Sequence, residues 1–143
     1  MSNLSLFMKK NKKVRENVKF TATKSLADEK GKPLEWEIKP LTTKEDERIR
    51  DDCTVEVPIV GKPNMYRQKL NANKYVAKLL ASSVVFPDLL DAELQDSYGV
   101  KTAEDLLKEL IDDVGEFNDF SAFVQKLNGF DVSLEEKVDE AKN

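Results

Sequence analysis

The sequence predicts an α+β fold, in which a small antiparallel sheet of about three strands in residues 14–60 is followed by a mostly helical half in residues 71–130. In the first of these segments apolar and polar side chains alternate, which is the period of a half-buried strand. In the second, apolar side chains recur every three or four residues, as on one face of an amphipathic helix. We expect residues 1–130 to form a single domain. The composition of residues 131–143 shifts to Ser, Glu, Asp and Lys, which predicts a flexible acidic tail.

The first predicted element is a β-hairpin. Residues 18–22 and 34–38 each alternate apolar with polar side chains, and the polar connection between them contains the pair Lys30-Gly31. This arrangement predicts two antiparallel strands joined by an open loop rather than by a two-residue turn. Trp36 lies between two glutamates on the second strand, so we expect this only tryptophan to anchor the core.

A surface helix and a third strand are predicted next. Thr42 and Glu45 have the spacing of a capping box, in which each side chain bonds the free backbone amide of the other residue at a helix start. The residues that follow are mostly charged, so this helix is expected to lie on the surface and Cys53 to be a small buried hydrophobe. Alternation over residues 55–59 predicts the third strand of the sheet. Pro58 indicates an edge position because proline has no amide hydrogen to donate.

The helical half is predicted to begin with an amphipathic helix that Asn73 caps. Pro87 disfavours helical dihedrals at the residue before it, so we expect this helix to end near Val85. The spacing of its apolar face is typical of about three helical turns. The side chains on that face are Tyr75, Val76, Leu79, Leu80, Ser83 and Val84.

A corner between two helices follows. A short helix is predicted to start at Asp88 or Asp91, whose carboxylates can accept hydrogen bonds from the free amides of its first turn. Gly99 is expected to close this helix in the left-handed conformation that glycine adopts readily. We expect the corner to present five side chains to one core, namely Phe86, Leu89, Leu90, Leu94 and Tyr98.

Two further helices are predicted before residue 130. Thr102 caps the first, which is expected to include Val114 and to be closed by Gly115, and Asn128-Gly129-Phe130 ends the second. The second helix and its end carry a phenylalanine-rich stripe with more apolar area than the edge of a small bundle needs. This stripe either packs in the core or partly faces a partner. The candidate partner-binding residues are Phe117, Phe120, Phe123, Leu127 and Phe130.

The composition argues against an enzyme. The chain has no histidine, the side chain most used for acid and base catalysis near neutral pH, and it has one cysteine, Cys53. Its five glycines stand apart, so there is no Gly-rich phosphate-binding loop, and the carboxylates lack the spacing of a calcium loop. We therefore predict no catalytic residue, no cofactor and no metal ligand.

The N-terminal segment is basic, although the net charge of the chain is −4. Lysine and arginine dominate residues 9–19, after Leu4, Phe7 and Met8, which can share one helical face. Such an arm suits nucleic acid or an acidic partner. No aromatic residues interleave with the charges, as stacking on bases would require, so the sequence disfavours nucleic acid as a partner.

Neither a signal peptide nor a transmembrane helix is predicted. The N-terminus lacks the apolar run of a signal peptide, and no stretch approaches the roughly 20 apolar residues that cross a bilayer. With one cysteine the chain cannot form an intrachain disulfide, which suits a reducing compartment. We therefore expect a cytoplasmic protein that does not bind membranes.

The central stretch, residues 86–100, carries most of a resemblance to a known family. Together with Val18-Lys19-Phe20, the turn at residues 28–33 followed by Glu35-Trp36-Glu37, and Asn128-Gly129-Phe130, this stretch resembles the XkdN-like phage tail assembly chaperones of Gram-positive phages and prophages. The resemblance extends over residues 4–130. The matching residues of the central motif, which we assign to the fold first, are Phe86, Pro87, Leu89, Glu93, Leu94, Gln95, Ser97, Tyr98 and Gly99.

The resemblance implies a non-catalytic chaperone that acts in the cytoplasm of the bacterial host and is absent from the mature virion. The implied client is the tape measure protein, which the chaperone keeps soluble while tail tube subunits assemble. Two alternatives stay open: a small nucleic-acid-binding or regulatory module that uses the basic residues 9–19, and a structural tail subunit. Self-association is also open.

Overall fold

The protein has the α+β architecture that the sequence predicts. The structure is a computed structural model that describes residues 3–130. Two short 3-10 helices come first, Asn3–Phe7 and Lys9–Asn11. The strands are β1 (Val18–Phe20), β2 (Trp36–Ile38), β3 (Thr54–Pro58), β4 (Tyr66–Leu70) and β5 (Val84–Phe86). The helices are α1 (Thr43–Asp52), α2 (Ala72–Ser83), α3 (Ala92–Ser97), α4 (Ala103–Leu110) and α5 (Val114–Leu127). The predicted tail, residues 131–143, lies outside the described residues.

The main sheet has three antiparallel strands in the order β1-β2-β5. Val18 pairs with Ile38 and Phe20 with Trp36, which confirms the predicted hairpin. Directly opposed residues point to the same face of a sheet, so all four of these side chains lie on one side. Trp36 is 2% exposed and Ile38 is fully buried, and the prediction that Trp36 anchors the core is therefore confirmed.

The third strand of this sheet is not the one that the sequence predicts. It is β5, which follows α2 directly, whereas the predicted helix continues to Val85. The backbone amide of Lys39 donates to the carbonyl of Ser83 at 2.8 Å, where the helix ends and the strand begins. Pro87 restricts the residue before it to extended dihedrals, and the adjacent β-branched valines also favour a strand.

The predicted strand over residues 55–59 exists as β3, but it pairs with β4 in a separate two-stranded ribbon. The pairing runs from Thr54 opposite Leu70 to Pro58 opposite Tyr66. Strand β4 is not predictable from apolar alternation, because its three central residues are all polar. None of the strand residues of the ribbon is fully buried, so most of its surface faces solvent.

Within the part of the chain that the structure describes, the core consists of two apolar clusters. The larger one joins the inner face of the main sheet to α2, α4 and α5, and its most buried members include Ile38, Leu80, Leu106, Leu107, Phe120 and Val124. The smaller one lies between α1 and α2 and contains Leu41, Ile49, Cys53, Tyr75 and Leu79. The prediction that Cys53 is a buried hydrophobe is confirmed.

Tyr75 also makes the main polar contact of the smaller cluster. Its hydroxyl donates a hydrogen bond to the Asp46 carboxylate, and the Arg50 guanidinium lies 4.8 Å from the centre of its ring. Burial and the hydrogen bond to Asp46 raise the pKa of Tyr75 to about 12. This contact ties α1 to α2 and keeps the phenol neutral.

Most helix starts agree with the sequence, and several helix ends do not. The capping box of Thr42 and Glu45 and the cap at Thr102 are confirmed. Helix α2 is capped by Asn71 rather than Asn73, since the Asn71 side chain accepts from the Lys74 amide at 3.1 Å.

Helix α4 ends at Leu110, earlier than predicted. Asp113 accepts from the Glu116 amide at 2.9 Å and starts α5, so Val114 and Gly115 belong to the first turn of α5 and do not end α4. The Asp113 side chain therefore marks the start of α5 a few residues after α4 ends.

Candidate functional site

The described residues contain no cluster of metal-ligating side chains, and their one thiol is buried. Within residues 3–130 no group of three or more His, Cys, Asp or Glu is placed to hold a metal ion. The Cys53 side chain is fully buried, and burial raises the pKa of its thiol. The thiol is therefore held in its neutral, weakly nucleophilic form.

The phenylalanine-rich stripe of α5 lies mainly against the core. Phe120 has no exposed surface and lies 6.1 Å from Trp36, centroid to centroid. Phe123 stacks on Phe20 at 4.2 Å with nearly parallel rings. The other three candidates, Phe117, Leu127 and Phe130, are half-buried. Their role in partner binding stays a prediction, and Phe120 offers a partner no surface in this conformation.

The central motif forms a tightly hydrogen-bonded corner. Asp91 caps α3 by accepting from the Leu94 amide at 2.8 Å, and Gly99 follows with φ of 69°, as predicted. The Gln95 side chain donates to the Leu89 carbonyl at 2.8 Å, and Ser97 donates to the Leu94 carbonyl at 2.7 Å. These polar groups therefore hold the chain path between β5 and α4.

The corner does not bury all five predicted side chains. Leu89 is buried, and Leu94 and Tyr98 pack partly against the larger cluster. Phe86 is 61% exposed and Leu90 is 77% exposed, so the prediction that they face the core is wrong. Leu89 and Leu90 are adjacent, and adjacent side chains outside a helix point in different directions, so one core does not accommodate both. The adjacency of the two leucines in the sequence was the signal that one of them would be exposed.

A concave surface lies beside this exposed leucine, and we call it the corner groove. It has a volume of about 460 Å³ and lies between the C-terminal half of α2, the loop after Pro87 and the N-terminus of α4. Its apolar lining comes from Ala81, Val84, Leu89, Leu90 and Ala103. Its charged lining residues are Lys78, Asp88 and Glu104.

The charges of the groove favour a cationic partner. Lys78 is already neutralised by Asp52, with 2.9 Å between the Lys78 Nζ and an Asp52 carboxylate oxygen. Asp88 and Glu104 belong to a strongly acidic segment, because acidic residues outnumber basic ones by eleven to three in residues 88–130. The groove therefore combines an apolar floor with a negative rim.

The N-terminal segment is a second exposed apolar region. Residues 3–15, which we call the basic arm, include two 3-10 helices in which no side chain is buried. Leu6, Phe7 and Met8 are 67%, 84% and 52% exposed. Four lysines follow in residues 9–13, so the arm is both apolar and cationic.

The tip of the β3-β4 ribbon is a third exposed apolar region. Val60 is 98% exposed there, and Met65 and Tyr66 are more than half exposed. A cavity of about 330 Å³ lies beside them.

No helix in residues 3–130 is both long and apolar enough to cross a membrane.

Known proteins resemble this chain along nearly its whole length. The family model of the phage XkdN-like tail assembly chaperone protein matches residues 4–142. The phage-like element PBSX protein XkdN of Bacillus subtilis strain 168 is 25% identical over 141 residues, which cover 99% of this chain and 94% of that protein. The uncharacterized protein YqbN of the same strain is 23% identical over 141 residues, with coverages of 99% and 93%.

A solved structure has the same fold. The crystal structure of the protein YqbN superposes with a TM-score of 0.76 at 21% identity and covers 92% of this chain and 99% of that chain. At this level of identity the similarity concerns the fold alone.

Proposed function

The chain belongs to the XkdN-like phage tail assembly chaperone family, and from this premise we propose that it is a non-catalytic chaperone of the tape measure protein. In this proposal it acts in the cytoplasm of the bacterial host, keeps the tape measure protein soluble and is absent from the finished particle. Tail tube subunits displace it as they polymerise around the client.

The corner groove is the observation that supports a helical client most directly. Amphipathic helices bind proteins by inserting apolar side chains at i, i+3 and i+4 into an apolar groove. The alanines at positions 81 and 103 allow a close approach, and Leu90 projects from the rim. An apolar floor of this size accommodates a few side chains of one helical face.

Weak individual contacts suit the proposed cycle of binding and release. A tape measure protein is expected to present its apolar stripe along a long helix, so many copies of the chaperone can bind it side by side. Each shallow groove then contributes little affinity alone, whereas the array covers the stripe. Tube subunits need to displace only one weakly bound copy at a time.

The test is co-expression of this chain with the tape measure protein of the same phage or prophage. We expect the client to be soluble and to co-purify only when the chain is present. Leu90→Asp is expected to remain folded, because Leu90 is 77% exposed, and to abolish the co-purification. Val60→Asp is the matched control, since it adds the same charge at the exposed tip of the ribbon.

Two results would contradict the proposal. If the client is equally soluble and unbound without the chain, the chaperone function for this client is wrong. If the chain is found in stoichiometric amounts in purified particles, it is a structural tail subunit. Binding that depends instead on nucleic acid and is lost at high salt would support the nucleic-acid-binding alternative.

A further inference from the structure

The basic arm and the corner groove are complementary in both polarity and charge. We propose that the basic arm of one copy docks in the corner groove of a second copy, so that the chain associates head to tail when no client fills the groove. The proposal rests on the proposed function in one respect only, namely that the client that competes with the arm for the groove is the tape measure protein.

The apolar complementarity comes from two surfaces that are uncovered in the single chain. Leu6, Phe7 and Met8 are exposed on one element, and Leu90 is exposed above the apolar floor of the other. Contiguous exposed apolar patches on a protein surface mark interaction sites. The arm carries the side chains that can fill a concave surface, and the groove supplies small residues that leave room for them.

The electrostatic complementarity comes from the lysines of the arm and the carboxylates of the groove. Lys9, Lys10, Lys12 and Lys13 follow the apolar residues of the arm directly, whereas Asp88 and Glu104 line the groove. The one lysine of the groove is paired with Asp52, so it does not repel an incoming cation strongly. Opposite charges across an interface steer the encounter and fix the orientation of the partner.

The arm is anchored at its base, so its N-terminal part can reach another molecule. Arg15 Nη2 donates to the Leu41 carbonyl at 2.6 Å, which holds the base of the arm against the smaller cluster. If their two 3-10 helices unfold, residues 3–14 span at most about 40 Å at 3.3–3.6 Å per residue. Because the arm and the groove are different surfaces, each docked pair leaves one free arm and one free groove, and association produces open chains or closed rings.

Disulfide trapping tests the contact itself. Phe7→Cys and Leu90→Cys are made in separate chains, mixed, and oxidised with oxidised glutathione, which accepts the two electrons and two protons that disulfide formation releases. We expect a covalent dimer from the mixture. A mixture of Val60→Cys with Leu90→Cys is the control, and the native Cys53 is buried and should not react.

Two trapping results would overturn the proposal. An equal yield of dimer from the Val60→Cys control would show random collision rather than docking. A double variant carrying Phe7→Cys and Leu90→Cys that forms only an intrachain disulfide would show that the arm folds back on its own groove.

A charge exchange measured by analytical ultracentrifugation tests the electrostatics. The wild-type chain is expected to show a mass that rises with concentration above the 16.3 kDa of one copy. Phe7→Asp should weaken this association by about tenfold or more, because the docked arm would then have to bury a charge in place of an aromatic ring. A chain that carries both Lys12→Glu and Lys13→Glu in its arm should also associate more weakly. Association should recover when this chain is mixed with a chain that carries both Asp88→Lys and Glu104→Lys in its groove.

The outcome also separates this inference from the proposed function. A monomeric chain at every concentration, or a charge exchange without recovery, overturns the docking of the arm even if the tape measure protein is bound. If the docking occurs but the client is neither bound nor solubilised, the proposed function fails instead. If both hold, removal of the arm should increase the amount of client bound at low chaperone concentration.

Discussion

Helix α5 and the corner after β5 behave in opposite ways. The sequence leaves open whether the phenylalanines of α5 pack in the core or partly face a partner, and it predicts that Phe86 and Leu90 face the core. In the structure Phe120 is fully buried, whereas Phe86 and Leu90 are mostly exposed. Periodicity in the sequence therefore identifies an apolar face. Whether another element covers that face depends on how the helices pack against the sheet.

The strands of the main sheet explain why α5 is covered. Phe20 and Trp36 lie on the inner face of the sheet and contact Phe123 and Phe120. At the corner no comparable layer of the described residues lies over Leu90. This comparison can be tested by truncating one apolar side chain in α5 and one at the corner, because the two truncations should lower the free energy of unfolding by different amounts.

The largest difference is expected between Phe120→Ala and Leu90→Ala. Truncating a fully buried phenylalanine removes its contacts and leaves a cavity, so Phe120→Ala should lower the free energy of unfolding by about 3–5 kcal/mol. Leu90→Ala should change it by less than about 0.5 kcal/mol, because most of this side chain is in water. Urea unfolding of both variants measures the difference, and similar costs would refute the assignment of the two surfaces.

A smaller effect is expected at the contact between α1 and α2. Tyr75→Phe removes the hydroxyl that donates to Asp46 and should lower the free energy of unfolding by about 1.5–3 kcal/mol, the usual contribution of a hydrogen bond to a charged group. Tyr66→Phe in the exposed ribbon is the control and should be neutral. Absorbance titration should also show Tyr75 ionising near its raised pKa of about 12, and ionisation near 10 would contradict its burial.

The corner should lose stability when the cap of α3 is removed. Asp91→Ala removes the cap of α3 and should cost about 1 kcal/mol. Asp96→Ala in the same helix removes a carboxylate that caps nothing there, so we expect no comparable loss. Equal costs in thermal unfolding would show that charge rather than capping matters at this position.

The smallest effect concerns the surface at the start of α1. A hydrogen bond from Lys39 lowers the pKa of Glu45 below its ordinary value of 4.5. A carboxyl group whose pKa is lower in the folded state stabilises the protein above its unfolded pKa, and this contribution is lost as the pH falls through the folded pKa. Both side chains are about one third exposed, so the contribution should stay within about 1 kcal/mol.

Lys39→Gln tests this effect by unfolding at pH 7 and pH 3. The variant should be less stable than the wild type at pH 7 and similar to it at pH 3. Lys44→Gln is the control, and a loss that persists at pH 3 would indicate a packing role for Lys39.

The local elements could be predicted from the sequence alone. Period-two alternation identified the β1-β2 hairpin, and capping residues identified the starts of α1 and α4 and the left-handed turn at Gly99. These signals are readable because each depends on residues that are close in the chain. The central motif also carried the resemblance to the family.

The strand that completes the main sheet and the apolar side chains that remain exposed depend on long-range packing. Val84–Phe86 pairs with β2 because α2 returns it to that edge, and β3 pairs with the polar strand β4 instead. The corner groove likewise combines residues from α2, the loop after Pro87 and α4. Strand pairing and side-chain burial depend on contacts between residues that are distant in the chain. Alternative pairings differ in the sum of these contact free energies, and a local sequence pattern does not contain that sum.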